Sequence, residues 1–234
     1  MIPSIFSSFD PASNLIFFYA PTFFWLIALT TIILAFPSLW ATSNRPDSSI
    51  NSLLSIPFNQ TSLSQANHLK SFPLILASLF LLILFLNLTG NLPYVFSISS
   101  HFLFSISFAF PMWLALLTSQ TNTFSHEPLL LHSIPNASPI WLTGPIVFIE
   151  FIRNIIRPLT LGLRLAINIT AGHVIVGIMS QFLTNFFVQF DTLPLTILLG
   201  AATGYSIFEL AISSIQTYIF CLLLSLYSND HPSS

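Results

Sequence analysis

Five charged side chains, Glu150, Arg153, Arg157, Arg164 and Glu209, fall inside long apolar segments, and His173 adds a sixth titratable group there. Each charge costs about 2.5–3.5 kcal/mol to insert at membrane depth, so such residues mark a pathway or functional site by default. Their spacing is helical. At 100° per residue, Arg153 lies at about −60°, Arg157 at about −20°, Arg164 at about −40° and Asn168 at about 0° from Glu150, so all share one face. From Glu209, the side chains of Tyr205, Ser213 and Gln216 fall within about 40° and make a second stripe. The two stripes can face each other or a shared partner. His173 stands about 180° from Arg164 and about 13.5 Å farther along an ideal helix, so it looks elsewhere. Glutamate, with a reference pKa near 4.3, and histidine, near 6.5, can exchange protons, whereas arginine keeps its charge. The pattern is that of a fixed cation flanked by proton-exchanging groups.

Other roles suit some of these residues. Arg153 and Arg157 lie within two turns of the segment's polar start, where snorkelling or lipid headgroup binding also explains them. His173 and Gln216, taken singly, suit interhelical hydrogen bonding. Arg164 is deeper and has less scope to snorkel, and a buried carboxylate such as Glu209 would be excluded or neutral without a function or a partner. His126, Glu127 and His132 have no diagnostic metal spacing, so no metal and no cofactor is expected. Asn168-Ile-Thr170 matches a glycosylation sequon but lies inside the apolar run. No phosphate-binding Gly-rich loop or nucleophile elbow is found, so the chain is not expected to be a hydrolytic enzyme.

The elements that must position these groups are membrane helices. Only 12 of 234 residues are Asp, Glu, Lys or Arg, where a soluble chain of this length would carry about 58. With 54% hydrophobic residues and a mean hydropathy of +0.84, a water-facing surface and disorder are both excluded. Five scattered basic residues cannot track a phosphate backbone, so nucleic acid is no partner. The lone Cys221 packs as a small apolar residue. The N-terminus carries no Lys or Arg before Arg45, so it lacks a secretory n-region or an Arg-rich transit peptide.

We read an all-α integral membrane protein with a single membrane domain over 1–234. Residues 15–36 make a first span, and 45–71 a connection along the membrane surface with room for a short amphipathic helix limited by Pro57. Residues 72–92 and 95–117 form a hairpin of two spans, followed by a polar loop at 118–139. Residues 140–187 and 194–227 are two helices too long for a hydrocarbon core of about 30 Å, an excess absorbed by tilt, a kink at Pro158, or division of the first into two spans. Arg45 and Lys70 place the 45–71 connection on the inside face, and the C-terminus with it.

Arg157-Pro-Leu-Thr-Leu-Gly-Leu-Arg164-Leu-Ala-Ile-Asn168-Ile-Thr-Ala-Gly-His173 closely resembles a segment of ATP synthase subunit a. Glu209-Leu-Ala-Ile-Ser-Ser-Ile-Gln216-Thr-Tyr218 resembles that family's last helix, and Glu150 stands where the family has a carboxylate before the arginine. The similarity is strong over 139–227, weaker over 86–113, and one of pattern before that. The order of His173 and Glu209 resembles the mitochondrial branch.

The resemblance implies a proton-translocating stator subunit in the mitochondrial inner membrane, beside a ring of subunit c and with peripheral-stalk subunits as further partners in the bilayer. Arg164 would face the ring carboxylate, with Asn168 and Gln216 as polar neighbours. His173 and Glu209 would line the half-channel open to the intermembrane space, and Glu150 and Asp230 the one open to the matrix. The alternatives are a membrane subunit of another respiratory complex and a non-transporting membrane scaffold.

Overall fold

The computed structural model describes residues 45–64, 71–92, 97–123, 140–189 and 192–229. Within them are five α-helices and no strand: α1 Arg45–Leu63, α2 Phe72–Gly90, α3 Phe102–Thr123, α4 Ile140–Gln189 and α5 Thr192–Asn229, with a 3₁₀ turn at Ile98–Ser100 before α3. Four of these, α2 to α5, are long and apolar enough to cross a membrane. The expected first span at 15–36, the loop residues 124–139 and Asp230 lie outside the described residues.

Helix α2 is apolar all round, yet it buries one face. Phe72, Leu76, Phe80, Ile83 and Leu84 recur at the helical period and pack with Leu161 and Leu165 of α4 and Phe220, Cys221 and Leu224 of α5. Pro73 sits in the first turn, where its missing donor is tolerated. The same face carries Asn87, whose amide donates to Thr217 Oγ1 at 3.2 Å, tying α2 to α5. Hydrocarbon gives apolar helices no reason to leave it, so close packing and interhelical hydrogen bonds of this kind fix the arrangement.

Three expectations change. Helix α1 continues through Pro57 instead of stopping there. Ile50, Leu53 and Leu54 pack on the core, and Pro57 and Thr61 are buried on the same stripe. The proline therefore loses one backbone bond while its ring gains a packed site against α2 and α5, the helices α1 touches. The expected hairpin of spans 72–92 and 95–117 is not a paired unit. Helix α2 packs chiefly on α5 and α1, and α3 chiefly on α4. Ahead of α3, Ile98–Ser100 form the 3₁₀ turn, in which the Ser100 N–H and hydroxyl both donate to the Ser97 carbonyl. This turn packs on α4. Finally, α3 runs to Thr123, six residues beyond the apolar stretch. Thr118 and Ser119 return their hydroxyls to the carbonyls of Ala115 and Leu116, so they need no break in the helix.

The first long apolar segment is one helix. Its 50 residues reach about 75 Å at 1.5 Å each, and it contains both Pro145 and Pro158. Helix α5, with 38 residues, reaches about 57 Å. The two pack along each other, and α3 crosses α4 at Gly162. A Cβ at Gly162 would stand 3.2 Å from Ile106 Cγ1 and 3.3 Å from Ile106 Cα. Backbone there cannot yield by a rotamer change. Gly162→Leu is expected to destabilise the protein by about 1–3 kcal/mol, as overpacking does, measured as an earlier thermal melt of the detergent-solubilised protein. An unchanged melt would mean that α3 and α4 do not meet at this glycine.

Candidate functional site

The polar residues of three helices converge where α2 ends against the middles of α4 and α5. From α4, Asn168 Nδ2 donates to Gln216 Oε1 of α5 at 3.0 Å. Gln216 is buried and Asn168 half-buried. Next to this bond lies a cavity of about 110 Å³, lined among others by Asn87 of α2 and Asn91 just past its end, Asn168 and Gly172 of α4, and Tyr205, Glu209 and Ser213 of α5. Its size, and the amide, hydroxyl and carboxylate groups set in a mostly apolar wall, suit a few water molecules.

Glu209 enters this cavity over Gly172. A Cβ at position 172 would fall 2.0 Å from Glu209 Oε1 and 2.6 Å from its Cδ, so the carboxylate occupies space that only a glycine leaves. Glu209 Oε1 is buried with no hydrogen-bond partner among the described residues. One residue beyond Gly172, His173 is half-buried and bonds to the backbone of Gly90 at the end of α2. The helical period turned it away from the Arg164 face, and α2 is what it meets. Adjacent positions of α4 therefore meet the Glu209 carboxylate of α5 and the end of α2.

Arg164 is not among the cavity-lining residues. Its side chain is exposed on the outer face of α4, one turn before Asn168, or about 6 Å along the axis. Among the described residues its guanidinium has no ion-pair or hydrogen-bond partner. The first stripe therefore splits: Asn168 reaches across to α5, and Arg164 looks outward. Leu161 and Leu165 beside it fill the core, which holds the arginine on the outside.

The remaining charges are compensated. Glu150 is bonded to Arg153 one turn on, and the Arg153 side chain stays more than half exposed. The Arg157 guanidinium lies 4.9 Å from the centre of the Tyr227 ring, a cation–π contact that fastens the end of α5 to α4. Glu150 stands 14 residues before Arg164, about 21 Å along the helix, and belongs to a separate region. Among the described residues, no cluster of His, Cys, Asp and Glu could hold a metal ion.

The sequence reading missed Asn87, Asn91 and Gly172. Asn87 and Asn91 are four apart, hence on one face of an otherwise apolar helix, and that spacing was a legible signal. Gly172 carried no signal without the position of Glu209.

Comparison with known proteins matches residues 21–229 to the family described as ATP synthase A chain. The chain is 36% identical over 241 residues to ATP synthase subunit a of Mytilus edulis, covering 100% of each chain. It is 32% identical to ATP synthase subunit a of Locusta migratoria and 36% identical to that of Drosophila simulans, in each case over 98% of this chain and 99% of the relative.

Replacing Gly172 separates stability from activity. Alanine is the better helix former by about 1 kcal/mol, and the atoms it would displace belong to the flexible end of a side chain. Gly172→Ala is therefore expected to fold and assemble at least as well as the parent. Displacing the carboxylate by an ångström or more should nevertheless cut proton flux by about ten- to a hundred-fold, read in membranes carrying the assembled complex. Parent-level flux in this variant would show that the seat of Glu209 over Gly172 does not matter.

Proposed function

The chain belongs to the ATP synthase A chain family, and on that premise we propose that it carries protons between two half-channels and the carboxylates of a rotating ring of subunit c. It is a multi-pass membrane protein and a subunit of the membrane sector of ATP synthase. The finer reading assigns it to the mitochondrial inner membrane as a non-hydrolytic stator, one membrane domain over its 234 residues. Subunit c and the peripheral-stalk subunits are its partners. The long helices α4 and α5 lie tilted against the ring.

The observation that carries this reading is the exposed, uncompensated Arg164 on a membrane-length helix, one turn from a polar cavity that ends at a carboxylate. A fixed positive charge favours the ionised form of an acid that approaches it. A ring carboxylate arriving at Arg164 releases its proton there, and the same charge repels a proton trying to cross directly between the half-channels. The ring has to turn for the proton to exit.

His173 and Glu209 serve the half-channel on the intermembrane side, where Glu209 takes up and gives off the proton, with Asn168 and Gln216 as the polar neighbours of Arg164 at the ring. Glu150 and Asp230 serve the matrix side. Each proton descending 100 mV releases about 2.3 kcal/mol, so several must pass for each ATP made elsewhere in the complex.

Arg164→Gln is expected to lower ATP-driven proton pumping by more than about a hundred-fold, the scale on which loss of a preorganised charge acts, while the complex still assembles on native gels. Glu209→Gln should slow pumping in the same assay with assembly intact. Coupled pumping at the parent rate in the Arg164 variant would overturn the proposal.

A further inference from the structure

The amides of Asn87 and Asn91 have their donors committed to groups that only accept. Asn87 Nδ2 lies 3.2 Å from Thr217 Oγ1 and 3.5 Å from the Ser213 carbonyl oxygen. The Thr217 hydroxyl spends its own proton on that same carbonyl at 3.1 Å, so toward Asn87 it can only accept. Asn91 Nδ2 lies 3.5 Å from the Glu209 carbonyl oxygen, again an acceptor. Turning either amide over would set oxygen against oxygen. The neighbours therefore fix both orientations, which a lone amide would leave ambiguous.

Both side-chain oxygens are consequently directed away from these partners. Asn87 Oδ1, Asn91 Oδ1 and Glu209 Oε1 are each buried and unbonded among the described residues, and all three residues line the same cavity. Three acceptors with no donor call for a ligand that donates. At roughly 30 Å³ per molecule, about three or four waters fit, and an anion finds no welcome.

We propose that Asn87 and Asn91 are positioning residues that hold, together with Glu209, a cluster of ordered water through which protons reach the Glu209 carboxylate. This rests on the reading of Glu209 as a proton carrier. In the transfer, an O–H bond of a hydronium held by the amide oxygens breaks as an O–H bond forms at the carboxylate, leaving a neutral water and a neutral acid. Release runs in reverse. The third helix, α2, thus supplies the hydrogen-bonding frame, and α5 supplies the acid.

Asn91 offers a test in which packing and water-holding predict opposite orders. Leucine keeps the branched four-atom skeleton of asparagine, somewhat enlarged, but has no oxygen, whereas serine leaves a gap but offers a hydroxyl and space for another water. In the intact complex reconstituted in lipid vesicles, Asn91→Leu is expected to slow ATP-driven proton pumping about tenfold, the worth of a lost hydrogen bond in a proton-transfer step. Asn91→Ser should recover to within about threefold of the parent. If Asn91→Leu reduces assembly, Asn91→Ala replaces it as the partner of Asn91→Ser, since those two differ by one hydroxyl group. Parent-rate pumping in the apolar variant, or a serine variant no faster than the apolar one, overturns the water cluster. Glu209→Gln is run alongside: if it is slow while Asn91→Leu is normal, only the cluster fails, and if it pumps normally, the proton-carrier reading fails with it.

Discussion

A charge or an unsatisfied polar group in hydrocarbon costs several kilocalories per mole, and most of this protein's polar arrangement follows from avoiding that cost. Serine and threonine hydroxyls throughout the helices return to carbonyls three or four residues earlier. Arg153 and Glu150 neutralise one another, and Arg157 covers its charge with an aromatic ring. Asn168 and Gln216 satisfy each other across the α4–α5 contact. Against this background, the few groups left over define the site: an outward arginine, and a buried cavity edged by carboxylate and amide oxygens.

The framework around the site is rigid for related reasons. Helices in lipid gain little from burying apolar surface, so they hold by shape and by interhelical polar ties. Gly162 lets α3 come down onto α4, and Gly172 lets a carboxylate rest against the same helix. The Asn87 amide fastens α2 to α5 just where the cavity begins. The same small set of contacts therefore sets both the helix spacing and the position of the chemistry.

Much of this was legible in the residues themselves. The scarcity of charge announced membrane helices, and the 3.6-residue period placed Asn168 and Gln216 on stripes that meet, and His173 on a different face from Arg164. The period could not say that Arg164 and Asn168, about 40° apart on one stripe, would separate into an outward and an inward group, because that depends on which side α5 packs. Helix α2 gave no periodicity to read, since nearly every residue is apolar and only packing chose its buried face. Pro57 looked like a stop because local backbone rules argue against it, whereas tertiary burial of its ring outweighed them. The hairpin expected at residues 72–117 failed because tertiary packing decided it: short connections usually join neighbours, but α3 packs on α4 and not back on α2.

The outward arginine also bears on how the chain comes to exist in its membrane. Alone in lipid, it presents a permanent cation to hydrocarbon on the face where α4 is otherwise lined by Ile167, Ile175 and Phe182. That makes the solitary subunit a high-energy species, with a signal of incompleteness built into its surface. Covering that face with another subunit of the complex takes the cation out of contact with hydrocarbon, so Arg164 adds to the free energy that favours the assembled subunit over the solitary one.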